Sequence, residues 1–117
     1  MTLTRDQILG AADLKTERVD VPEWGGEVIV SEMFGTAREE YERIIFDRNG
    51  KLVSDKSLRA CLVAASVVDE EGALLFSKAD VDALGRKSSQ ALHRVYDAAL
   101  RLNGMAPDAT KGAAKNS

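Results

Sequence analysis

One cysteine, one histidine, one tryptophan and two prolines occur in 117 residues, and aromatic side chains make up only 5% of them. The lone Cys61 excludes an intramolecular disulfide. Its place inside the apolar run "ACLVAASVV" marks it as a buried small hydrophobe rather than a nucleophile. With His93 as the single histidine and no Cys/His spacing, there is no zinc motif. Apolar runs fall well short of the roughly 20 residues that cross a bilayer. The start "MTLTRDQILGAADLK" lacks the basic region and long apolar stretch of a secretory signal. A soluble, intracellular protein with no membrane partner is therefore expected. A basic surplus is missing too: the net charge is −3 and the pI about 5.2. That balance gives no general attraction to nucleic acid.

What is present is an ordinary globular composition, 44% hydrophobic and 30% charged, in a chain long enough to bury a core by itself. With few aromatics, that core must come mainly from Val, Leu, Ile and Ala. One domain is expected over residues 1–105. Beyond Met105 the tail "APDATKGAAKNS" is small, polar and basic, with nothing large to pack, and reads as a flexible terminus over 106–117.

The patterning predicts an α+β fold: a small single domain with an N-terminal β-hairpin, a second hairpin in the middle and C-terminal helices. Thr4-Arg-Asp-Gln7 has the form of a capping box and opens a short helix through "DQILGAAD". Val19 and Val21 then alternate with Asp20, Pro22 stops the pairing, and Gly25-Gly26 offers the positive φ of a turn. The return strand "EVIVSEM" puts Val28 and Val30 on one face and Ile29 on the other. Thr36-Ala-Arg-Glu39 resembles another capping box. It precedes Ala37, Tyr41, Ile44, Ile45 and Arg48 at helical spacing, with Asn49-Gly50 as the stop.

Residues 58–68 admit two readings. Leu58, Cys61, Leu62 and Ala65 have helical spacing, whereas "LVAASVV-DEEG-ALLF" reads as two strands about a Gly-ended turn. Val67-Val68 and the polar loop favour a hairpin over 62–76. Ser77-Lys-Ala-Asp80 starts a short helix that stops at Gly85. Ser88 or Ser89 caps the longest one, whose apolar stripe is Leu92, Val95, Ala99 and Leu102 and which ends at Asn103-Gly104.

Catalytic or ligand-binding chemistry finds little support in these residues. His93 sits on a helix with no accompanying serine or cysteine motif. Asp69-Glu70-Glu71 lacks the alternating ligands of a calcium loop and reads as an acidic turn. Gly25-Gly26 belongs to no phosphate-binding signature. Metal ligands and cofactor contacts are expected to be absent. Trp24, between Pro22 and a glycine pair, either folds back over the helix of residues 37–48 to close the core or projects as an anchor for a partner. The hairpin face with Glu27, Ile29 and Ser31 is the best candidate contact surface, because open strand edges recruit other strands.

The order of "VPEWGG", the D-x-x-G-x-x-x-F of Asp69, Gly72 and Phe76, "ALG" at 83–85 and "LNG" at 102–104 resembles the tail assembly chaperones of long-tailed phages and prophages. The resemblance runs from about Thr4 to Met105. It implies a non-enzymatic factor that coats the tape measure protein and recruits tail tube subunits in the host cytoplasm, and that is absent from the finished virion. In many relatives a frameshift adds a longer second product. Family members often carry an arginine on the second hairpin strand near Ser31, so any contact made there must be made differently. The exposed edge also allows self-association. The competing expectation is a small enzyme or ligand-binding domain built from His93, Asp97 and Arg101, or a bacterial regulatory module.

Overall fold

The computed structural model describes residues 1–53 and 57–105, so the tail expected to be flexible lies outside the described residues. Helix α1 spans Arg5–Leu9. Strands β1 (Thr16–Val21) and β2 (Gly26–Ser31) follow, joined by a 3-10 turn at Pro22–Trp24. Helices α2 (Gly35–Ile45) and α3 (Leu58–Ser66) lead to a two-residue strand β3 (Val67–Val68). A second 3-10 turn at Lys78–Asp80 runs into the short α4 (Val81–Leu84), and α5 (Ser89–Leu102) closes the fold. The expected α+β class holds. The three strands form one antiparallel sheet in the order β1-β2-β3, with β2 central.

Alternation decides how the sheet sits. Val19 pairs with Val28 and Glu17 with Val30, which places Val19, Val21, Val28 and Val30 on the face that α5 packs against. Val67 pairs with Val30 and joins that face. α5 packs beneath the sheet, α3 against α5, and α2 against α3. The core is aliphatic as expected, with Leu62, Val21, Val30, Val63, Val67 and Val95 fully buried. Each such side chain contributes about 1.5–3 kcal/mol by leaving water. Cys61 is buried among them. So is Tyr41, whose hydroxyl is pushed up to about 12, chiefly by burial.

Several expectations need correction. Residues 62–66 are helical, so the second hairpin shrinks to Val67–Leu75 about the turn at Asp69–Gly72, with Val68 bridging Leu74. The reason lies in the environment: α3 is sandwiched between α2 and α5, and Ala60 through Ala64 are all buried. A helix buried nearly all round has no polar face to print a 3.6-residue period. Ser57 fixes its start by accepting the Ala60 N–H at 3.1 Å.

Thr36 does not cap α2. The helix begins one residue earlier, at Gly35, behind Phe34, and has no side-chain cap. Nor does Asn49-Gly50 end it. The helix stops at Ile45, and Phe46 pairs back with Leu52 across a tight turn. There the Asp47 carboxylate accepts the Asn49 and Lys51 N–H groups. Asp69 does the same for Glu71 and Ala73, with Gly50 and Gly72 both at positive φ. One D-x-x-G turn is thus used twice. Only Gly25 of the glycine pair has positive φ, at 79°; Gly26 is the first residue of β2.

The remaining caps stand as read. Thr4 and Gln7 form a complete capping box, Ser77 and Asp80 another, and Ser88 is the N-cap of α5. Asn103 does more than stop α5. Its Oδ1 accepts the Met33 N–H and its Nδ2 donates to Ala99 O, both at 2.8 Å, which ties the end of the last helix to the exit of β2.

Candidate interaction surface

The hairpin turns its other face away from the helices, and Arg18, Asp20, Glu27, Ile29 and Ser31 share it by alternation. Arg18 lies opposite Ile29, and Ile29 lies opposite Val68. The Arg18 guanidinium reaches Glu27 at 3.0 Å and Glu70 at 2.9 Å, so its side chain crosses above Ile29. Ile29 beneath this bridge is half-exposed, and Val68, which pairs with both Ile29 and Leu74, is 5% exposed. The hydrogen bond from Arg18 holds the Glu70 carboxyl below the ordinary carboxylate value, and the Arg18 pKa rises in turn.

The expected contact residues are therefore unequal. Glu27 is exposed and paired with Arg18, and Ile29 lies beneath an ion bridge rather than open to solvent. Ser31 is 5% exposed, and its Oγ donates to Glu32 O at 2.8 Å. It shapes the strand end and is not a surface group.

Trp24 sits on the 3-10 turn, half-buried and packed against the core. It does not close over α2 in the way one reading expected. It lines a cleft of about 470 Å³ with Phe76, Ala83 and Leu84 as apolar walls and Glu23, Asp80 and Lys87 on the rim. Its Nε1 is buried without a hydrogen-bond partner among the described residues. Glu23 anchors this turn to α5 by a two-pronged pair with Arg94. The hydrogen bond from Arg94 lowers the Glu23 pKa. At the other end of β1, Glu17 pairs with Arg101 at 3.0 Å, so two ion pairs pin the hairpin to α5.

A second apolar cleft, about 400 Å³, opens between α2 and α3, where Tyr41, Ile44 and Ala65 meet Leu74, Phe76 and Val81. Sequence reading missed both clefts. The available signal was Phe76, placed just after an acidic Gly-ended turn, where an aromatic must fold inward.

His93, Asp97 and Arg101 do not converge. His93 is exposed and borders a shallow depression with Arg59, Ser89, Gln90 and Arg94, while Arg101 is bonded to Glu17. Among the described residues no group of three or more His, Cys, Asp or Glu is placed to hold a metal, and no helix is long and apolar enough to cross a membrane.

Comparison with known proteins gives two findings. A family model described as phage tail assembly chaperone matches residues 6–115. Among solved structures, that of the bacteriophage HK97 tail assembly chaperone superposes with a TM-score of 0.57 at 22% identity, over 83% of this chain and 94% of that one. At that identity the likeness speaks for the fold. No curated protein matches the chain.

Proposed function

The chain belongs to the phage tail assembly chaperone family, and from that premise we propose that it binds a tape measure protein and recruits tail tube subunits to it. The family match over residues 6–115 carries this reading. It acts by surface contact and without covalent chemistry, in the cytoplasm of the host bacterium, and it leaves before the virion is finished.

The geometry supports such a role in two ways. A hairpin held to the body by the Glu17–Arg101 and Glu23–Arg94 pairs presents a rigid, ion-bridged outer face. The two open apolar clefts, one at Trp24 and one between α2 and α3, have walls suited to the apolar side chains of an amphipathic helix. A tape measure helix offers such side chains. Within the expected contact set, Trp24 and Glu27 are the groups a partner would meet first, while Ile29 lies under the Arg18 bridge and Ser31 shapes the strand end.

The test is co-expression with a tape measure fragment and a tube subunit, followed by pull-down and by counting completed tails in a complementation assay. Lys in place of Ala83, on the exposed wall of the Trp24 cleft, should leave the thermal transition within a few degrees of wild type, because a surface change costs about 0.5 kcal/mol or less. The same change should weaken tape measure capture at least tenfold. Undiminished capture and normal tails would remove the cleft from the contact surface, and failure of the unaltered chain to capture either protein would overturn the proposal.

A further inference from the structure

The rim of the Trp24 cleft carries three charged groups, Glu23, Asp80 and Lys87, and two of them are already engaged. Glu23 holds Arg94 with both carboxylate oxygens. The Asp80 carboxylate accepts the N–H and the hydroxyl of Ser77. Lys87 is exposed and has no carboxylate partner among the described residues. The charge this rim has left to offer is positive.

The Glu23–Arg94 pair is also a boundary. Glu23 lines the cleft, and Arg94 lines the neighbouring shallow depression with Arg59, Ser89, Gln90 and His93. Arg59 stands over the Tyr96 ring, 5.6 Å from its centre. Like Lys87, Arg59 and Arg86 are exposed and form no salt bridge among the described residues. Arg86 precedes Lys87 in the link from α4 to α5. That link meets the start of α3, where a Cβ built on Gly85 would lie 3.6 Å from the Ser57 Cβ. Three unpaired cations thus gather at the start of α5, in a chain whose net charge is −3. Asp82 on α4 and Asp97, one turn along α5 from His93, pair with none of them.

On the other side the apolar surface continues. Phe76 lines the Trp24 cleft and also the cleft between α2 and α3. A ligand that matches the whole track needs apolar side chains at one end and carboxylates at the other. Burial rewards the first. Unpaired cations attract the second over a screening length of about 8–10 Å. A nucleic acid would answer the cations and leave the apolar walls unmatched. We propose that this surface takes an acidic amphipathic helix of a partner protein, its apolar stripe over Trp24 and Phe76 and its carboxylates over Lys87, Arg86 and Arg59. The inference rests on the reading of the Trp24 cleft as a contact surface and adds the charge of what binds there.

Trp24 is the single tryptophan, so its fluorescence in the full chain reports occupation of the cleft. The probes are two tryptophan-free peptides of about 18 residues, long enough to form a helix. They share one leucine stripe and carry Glu or Lys at one end. At low salt the Glu peptide should bind at least tenfold more tightly, and high salt should remove most of that preference by screening. Arg59→Glu combined with Lys87→Glu should keep the native far-UV spectrum and abolish or reverse the preference. Lys15→Glu, two residues from the Glu17–Arg101 pair at the other end of α5, should leave it intact. Equal binding of the two peptides, a preference that survives the double reversal, or one lost equally in Lys15→Glu would overturn the proposal. So would a DNA duplex that shifts Trp24 emission as strongly as the Glu peptide. The peptides contain no tail protein, which keeps the two readings separable. A chain that captures tape measure protein but shows no peptide preference keeps its proposed function and loses this inference; a chain with the preference that captures no tail protein does the reverse.

Discussion

A single backbone angle separates two neighbouring glycines. Gly25 holds φ at 79° as the residue that closes the 3-10 turn, its N–H donating to Pro22 O at 3.0 Å, while Gly26 is an ordinary strand residue. Nothing lies within 4 Å of a Cβ built at either position, so crowding is not the difference; conformation is. Gly25→Val should cost about 1–3 kcal/mol of strain and lower the melting temperature by several degrees. Gly26→Val should change it little or raise it, since β-branched residues suit strands. Paired thermal melts of the two variants check this, and equal effects would mean that the turn is not the constraint. The glycine pair was legible in the sequence as a turn. Which member carries the positive φ was not, because that depends on where Pro22 starts the 3-10 turn.

At the scale of elements, caps show which signals are physical. Ser88 Oγ accepts the Ala91 N–H at 3.3 Å, whereas Thr36 lies inside the first turn of α2, whose start has no side-chain cap. Ser88→Ala should cost about 1 kcal/mol, the usual value of an N-cap. Thr36→Ala should be neutral in urea titrations of the same chain. Only Thr36, with Glu39 three residues on, fits the capping-box motif in the sequence, yet Ser88 is the residue that caps. They differ because Phe34, 39% exposed, stands where the chain already turns into the helix. The helix over 58–66 tells the complementary story. Val63 lies at its centre at 0% exposure, so Val63→Ala should destabilise the protein by about 1–3 kcal/mol through lost contacts and a residual cavity. The loss would be read in the urea midpoint.

Across the whole molecule, a few polar ties hold the hairpin to the helices. Asn103 bonds Met33 N–H from the end of α5. Asn103→Ala leaves that part-buried donor without its partner and should cost about 1–3 kcal/mol, measured by chemical denaturation. The ion pairs bring a pH dependence. Arg94 holds the Glu23 carboxyl, and Arg18 the Glu70 carboxyl, below their ordinary value of 4.5 in the folded state. The unfolded chain therefore takes up these protons first as pH falls. Their contribution is present above about pH 4.5 and is lost as pH drops through the lower folded values. Melting temperatures should hold steady from neutral pH down to that point and then fall. Glu23→Gln with Glu70→Gln should make the acid decline shallower, and an unchanged decline would assign acid lability to other carboxylates.

By itself the sequence determined the α+β class, the N-terminal hairpin with its valine face, the aliphatic core, the buried Cys61 and the capped C-terminal helix. Each of these rests on local periodicity or on a cap written within a few residues. Tertiary structure decided between the two readings of residues 58–66 in favour of the helix, because burial of most of it leaves too narrow a polar face to announce a helix. It alone laid Arg18 over Ile29 to reach Glu70, and set Trp24 against Phe76 and Leu84, since those partners lie 52 to 60 positions along the chain.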